Sequence, residues 1–305
     1  MNAVGAAAVL AHGAVARDEL RTSWGGDPLA LLAVGALVLA YAAGARAAGS
    51  RAPLAALVRR RAGFGAVAVL VLLVSLASPL DAAASTVFSA HMVQHLLLTA
   101  VAAPLLVLAA PVATIRRVLP LRRADQVLVP AARLVARIPW WPLAATSVGL
   151  GVLSVWHVPA LYEAALRSDL VHGLEHATLL GGATLLWSAV LGAARRRQML
   201  WSAASLGLSA LHGSALGALL ALSTRPWYGS HAEGAEGWGI DPLADQQVAG
   251  AIMWVPTAAV HLGVLALLLH RWFRSAGERT PSPTAARAPT GPRARPTGAA
   301  ASEGP

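Results

Sequence analysis

Apolar residues in this chain come in long runs, not at the spacing of a one-sided helix or a strand. Seven runs approach the ~20 residues that carry a helix across a bilayer. They are Pro28–Gly44, Ala62–Leu80, Phe88–Ala110, Trp140–Pro159, Asp169–Ala193, Met199–Leu222 and Gln247–Trp272. The pattern predicts an all-α integral membrane protein, a bundle of seven transmembrane helices. Residues 28–273 form the membrane domain, 1–27 an outer N-terminal segment and 274–305 a disordered tail rich in Pro, Ala, Thr, Gly and Arg. Ala14-Val15-Ala16 after the apolar run Ala3–Ala11 looks like a signal-peptidase site, although no basic residue precedes the run. Between the third and fourth runs, Val127, Leu128, Ala131, Leu134 and Val135 recur at helical spacing. They predict an amphipathic surface helix over Ala124–Ile138.

Composition agrees with the runs. Apolar residues make up 56% of the chain and charged residues 12%, about half the charged share of a soluble protein. All 24 basic residues are Arg. Without Lys there is no retinal Schiff base, no Lys-bound pyridoxal group and no P-loop lysine. Without Cys there is no disulfide, thiolate metal site or thiol catalysis.

The formal charge is +10, and its distribution gives orientation. All Arg except Arg17, Arg21, Arg167 and Arg225 fall on one side of the seven runs. The positive-inside rule puts that side in the cytoplasm, the N-terminus outside and the C-terminus inside. Glu233, Glu236, Asp241 and Asp245 share one outer loop. The basic excess therefore reflects topology and contact with anionic lipid, and no nucleic-acid partner is expected.

The chain also has 10 His, and ionisable groups inside a span are costly enough to need a reason. At 1.5 Å per residue, His91 and His95 lie about 4.5 and 10 Å from the outer end of the third run. His172 and His176 lie at matching depths in the fifth, and His157 about 3 Å from the outer end of the fourth. The spacing of four stacks each pair on one helix face, where two imidazoles can chelate one ion. Taken singly, His157, His212 and His261 are read as packing hydrogen bonds. His270 is read as interfacial and His231 as solvent-exposed.

The two matched pairs are read as a metal or haem site, against a packing network or proton path. His91, His95, His172 and His176 form its core, with His157 a fifth ligand or a supporting residue. Glu175, Asp245, Gln94, Gln246 and His212 orient imidazoles or attract a cation. Met92 and Met253 are soft thioethers that more often serve packing. This donor set suits copper or zinc, and haem remains open. Pro159 closes the fourth span, Pro111 ends the third, Pro256 kinks the seventh, and Gly213 with Gly217 allows close helix contact. Trp24, Trp140, Trp141, Trp227, Trp238 and Trp272 sit at predicted interfaces.

Four motifs occur in order on the outer ends of the bundle. They are His91-Met92-Val93-Gln94-His95-Leu96-Leu97; Trp156-His157-Val158-Pro159 followed by Tyr162; His172 to His176; and Asp245-Gln246-Gln247-Val248-Ala249-Gly250 with Trp254-Val255-Pro256. Together, over about Trp24 to Phe273, they resemble the CtaG-type assembly factors of caa-type cytochrome c oxidases. The resemblance implies a non-enzymatic membrane chaperone of the bacterial plasma membrane. It implies a respiratory-chain role, with an oxidase subunit as partner and copper handling as the task. A haem-binding cytochrome and an ion or proton transporter are the rival readings.

Overall fold

The computed structural model describes residues 15–25, 28–48, 52–110, 126, 129–130, 133–135, 137–192 and 196–277, and all regular structure in them is helical. Most of the predicted surface helix Ala124–Ile138, most of the first sixteen residues and the tail beyond Gly277 lie outside the described residues.

The helices are α1 (Pro28–Ala48), α2 (Ala52–Ala77), α3 (Pro79–Ala84), α4 (Phe88–Leu96), α5 (Ala103–Ala109), α6 (Trp141–Trp156), α7 (Pro159–Arg167), α8 (Asp169–Leu191), α9 (Arg196–Ala221), α10 (Gly229–Gly237) and α11 (Pro242–Gly277). A π-helical segment, Leu97–Ala102, joins α4 to α5. Five stretches are long and apolar enough to cross a membrane: Ala55–Ala77, Phe88–Ala109, Asp169–Leu191, Gln198–Ala221 and Pro242–Arg274. The bent pair α6 and α7 makes a sixth if taken as one span. The first predicted run is the helix α1, whose apolar stretch is Val34–Ala43. Large apolar side chains such as Leu39, Leu211 and Leu267 are more than 60% exposed. A soluble protein does not leave such a surface to water. The chain is a multi-pass membrane protein.

Local chemistry sets the breaks. The Ser78 side chain accepts the Leu80 N–H, and Pro79 takes the first position of α3, where its missing N–H costs nothing. Pro104 has no N–H for an α-type bond, and the π segment lies just before it. Two carbonyls at and just before that stretch find side-chain donors: the Trp187 indole on Thr99 O and the Thr99 hydroxyl on His95 O. The span ends at Ala109, where expected, with Ala110 left-handed at φ 46° ahead of Pro111. Pro159 does more than close a span. It forces Val158 into an extended conformation, and the chain turns by 73° into α7. Helix α11 continues unbroken across Pro256.

Helix α1 packs on α2, and α2 packs on α5. The remaining long elements enclose a central cavity of about 90 Å³, walled by α4, the π segment, α6, α8, α9 and α11. Two helix pairs approach at glycines. Gly149 of α6 meets Gly182 of α8, and Gly217 of α9 meets Gly250 of α11. The expected small-residue seam thus uses Gly217, whereas Gly213 borders the cavity.

Candidate metal centre

Helices α4 and α8 bring the two histidine pairs face to face. Ring centroids are 4.2 Å apart for His91 and His95, and 4.1 Å for His172 and His176. Across the helices they are 5.8 Å for His91 and His172, and 5.6 Å for His95 and His176. All four rings are buried. Glu175 projects between them with no exposure, its Oε1 3.8 Å from His91 Nε2 and 3.7 Å from His95 Nε2. Ligand atoms of His91, His95 and Glu175 lie within 4.8 Å of one another. Neither Glu175 oxygen accepts a hydrogen bond, and His91 Nε2 and both His95 nitrogens lack such partners. Buried polar atoms normally have hydrogen-bond partners. One such atom from each of His91, His95 and Glu175, gathered within 4.8 Å, fits a cation that is itself the missing partner.

The surroundings fix the imidazoles. The carbonyl of Ala84 can only accept, so His91 donates through Nδ1 at 3.2 Å and turns Nε2 toward Glu175. His157 sits at the end of α6 and donates from Nδ1 to Leu153 O at 2.8 Å, which leaves a lone pair on Nε2. That atom is buried without a partner. This arrangement, one ring nitrogen on a carbonyl and the other free to ligate, is usual for metal-binding histidine. His157 lies beside His95 on the cavity wall, outside the close group of ligand atoms.

Other expected residues serve the frame. Asp245 accepts the N–H groups of Phe88 and Ser89 at 2.7 and 3.2 Å, so it caps α4 instead of its own helix. Gln94 donates to Ser75 O at 2.7 Å and Asp81 Oδ1 at 2.6 Å, holding α4 against α2 and α3. Gln246 accepts from Trp227 N and donates to Arg225 O, fixing the loop after α9. His212 pairs with Ser154 Oγ at 3.0 Å between α9 and α6. His261, bonded to Thr257 O and Ser209 Oγ, is a packing histidine as expected. Met92 and Met253 pack in one apolar cluster with Phe88, Tyr162 and Tyr228.

His231 corrects the reading from sequence. It is not solvent-exposed but 2% accessible, and it stacks on Phe88 beside His91. Its Nε2 donates to Ala84 O at 2.9 Å, so its Nδ1 accepts the Tyr162 hydroxyl at 3.0 Å. Burial, with His91 nearby, pushes its pKa down to about 3, which keeps it neutral. The short helix α10 thereby covers the cluster. The Tyr228 hydroxyl donates to His157 O, and Ser230 bonds Glu163 through both its N–H and its hydroxyl. The loop's polar composition gave no sign of this burial. The signal was the aromatic group around it, Trp227 and Tyr228.

The order of these motifs has a match. Residues 39–275 fit the model of the family described as cytochrome c oxidase caa3 assembly factor. The chain belongs to this family. No curated protein and no solved structure matches it. The match takes in both histidine pairs, the bend at His157 and the Asp245 cap, so the family identity covers the whole cluster. A family of assembly factors for cytochrome c oxidase implies an oxidase partner in the membrane.

Proposed function

We propose that this assembly factor binds copper at the cluster of His91, His95, His172, His176 and Glu175 and passes it to a subunit of its oxidase. The observation that carries this reading is the buried Glu175 carboxylate, which accepts no hydrogen bond and lies within 3.8 Å of two imidazole nitrogens. Imidazole and carboxylate suit copper or zinc, and the oxidase is a haem–copper enzyme, which selects copper. His157 lies outside the close group of ligand atoms and takes no part in this cluster. The copper is cargo, not a resident cofactor. The protein turns over no substrate, and transfer runs down a gradient of affinity. In this reading the chain crosses the bacterial plasma membrane seven times, with its N-terminus outside and its C-terminus in the cytoplasm.

Metal content and the haem spectrum of one detergent-purified sample test the proposal. The wild type is expected to hold near-stoichiometric copper and show no Soret band. A His91→Ala/His95→Ala variant is expected to lose the copper held at this cluster. A strain lacking the protein should then yield oxidase with less copper. Absence of metal from the wild type after copper loading would make the histidines structural and end the proposal. A strong Soret band would transfer the site to haem.

A further inference from the structure

The central cavity has donors of a different kind from those around Glu175. Met92 of α4 and Met253 of α11 both line it, as do His95 and His157. The two methionines are 2% and 8% exposed and belong to one packed cluster, against which Leu153 rests. Leu153 is also the residue whose carbonyl takes the His157 Nδ1–H. His157 is 5% exposed, and its Nε2, the free lone pair of the ring, has no hydrogen-bond partner. The Tyr228 hydroxyl bonds the His157 carbonyl and so holds the turn that presents the ring. Among the described residues, no Asp or Glu lines the cavity.

We infer that the cavity is a second metal site, distinct from the Glu175 cluster, in which His157 Nε2 and the thioethers of Met92 and Met253 bind a soft monovalent cation, Cu(I). Thioether and imidazole donors select soft d¹⁰ ions. A neutral donor set without carboxylate leaves a single positive charge in an apolar chamber. A divalent ion would leave two, at greater desolvation cost. The Glu175 cluster is of the opposite type, with an anionic oxygen and borderline nitrogens. His95 belongs to both walls, so the two sites stand one imidazole apart. The methionines thus provide ligands as well as packing. This inference stands independently of whether the Glu175 cluster carries copper.

The test uses the full chain in detergent with two probes. Ag(I) stands in for Cu(I) at the soft site, and Zn(II) reports on the Glu175 cluster. X-ray absorption at the silver edge of the wild type is expected to show sulfur as well as nitrogen neighbours. A Met92→Leu/Met253→Leu variant keeps apolar volume. It is expected to lose the sulfur shell and weaken Ag(I) binding by about tenfold or more, with Zn(II) affinity unchanged. A Met199→Leu control should match the wild type. A silver spectrum with nitrogen or oxygen neighbours alone in the wild type overturns the inference, whatever the variants do. So does full Ag(I) affinity in the double variant. Sulfur-ligated silver without Zn(II) binding would support this site while removing the Glu175 cluster as a metal centre. Zn(II) binding without sulfur-ligated silver would do the reverse.

Discussion

Glu175 is the residue on which the histidine cluster turns. It is fully buried, its carboxylate within 3.8 Å of His91 and His95, and accepts no hydrogen bond. A buried carboxylate in that state costs stability unless a cation offsets it. Glu175→Gln keeps the shape and removes the charge. The metal-free variant is therefore expected to melt no lower than the wild type, while metal affinity falls about 10- to 100-fold. Thermal unfolding and competitive metal titration on the same sample check both halves. A drop in melting temperature with unchanged affinity would give Glu175 a purely structural task. His231 makes the complementary point. Its side chain is as buried as those of the cluster, yet both its ring nitrogens are already engaged, with Ala84 O and the Tyr162 hydroxyl. It closes the site without having a lone pair to offer.

At the scale of elements, three devices aim the donors. Asp245 at the start of α11 caps α4 and thereby places His91 and His95. Pro159 turns α6 into α7 and leaves His157 at the corner. Gly217 and Gly250 let α9 and α11 touch, which sets the wall that carries Met253. A Cβ on Gly250 would fall 2.5 Å from Gly217 O and 2.6 Å from Ala221 N, whereas one on Gly213 meets only a Thr257 methyl at 3.9 Å. Gly250→Ala is expected to cost about 1–3 kcal/mol through forced helix separation, and Gly213→Ala to be tolerated. Thermal unfolding in detergent separates the two. Equal stability of both variants would refute the close seam. The pattern Gly213-xxx-Gly217 was visible in the sequence, but which glycine bears the contact depends on the rotation of α9, set by packing against α11.

At the scale of the whole molecule, the asymmetric placement of Arg has a direct consequence. With no Cys in the chain, single introduced cysteines report sidedness cleanly. Thr22→Cys is expected to react with a membrane-impermeant maleimide in intact cells, and Ser302→Cys only after lysis. Labelling in the opposite sense would invert the orientation and move the histidine cluster to the cytoplasmic half.

Long apolar runs determined that the chain is a helical membrane bundle, because a bilayer accepts only backbone that satisfies its own hydrogen bonds. The four-residue spacing determined that His91 with His95, and His172 with His176, share helix faces, because a helix returns to one face after about a turn. The break at Pro159 was legible because proline lacks an N–H and pushes the residue before it out of the helical region. Convergence was not, since it depends on which helices are neighbours. Only the tertiary structure decided that the two pairs meet around Glu175, that His212 is drawn away to Ser154, and that Asp245 caps a helix more than 150 residues earlier in the chain. It alone decided that His231, in a polar and acidic loop, lies inside. Local sequence carries propensity and period. Burial is a property of what packs above a residue, and here that cover is α10, held by Tyr162, Glu163 and Ala84.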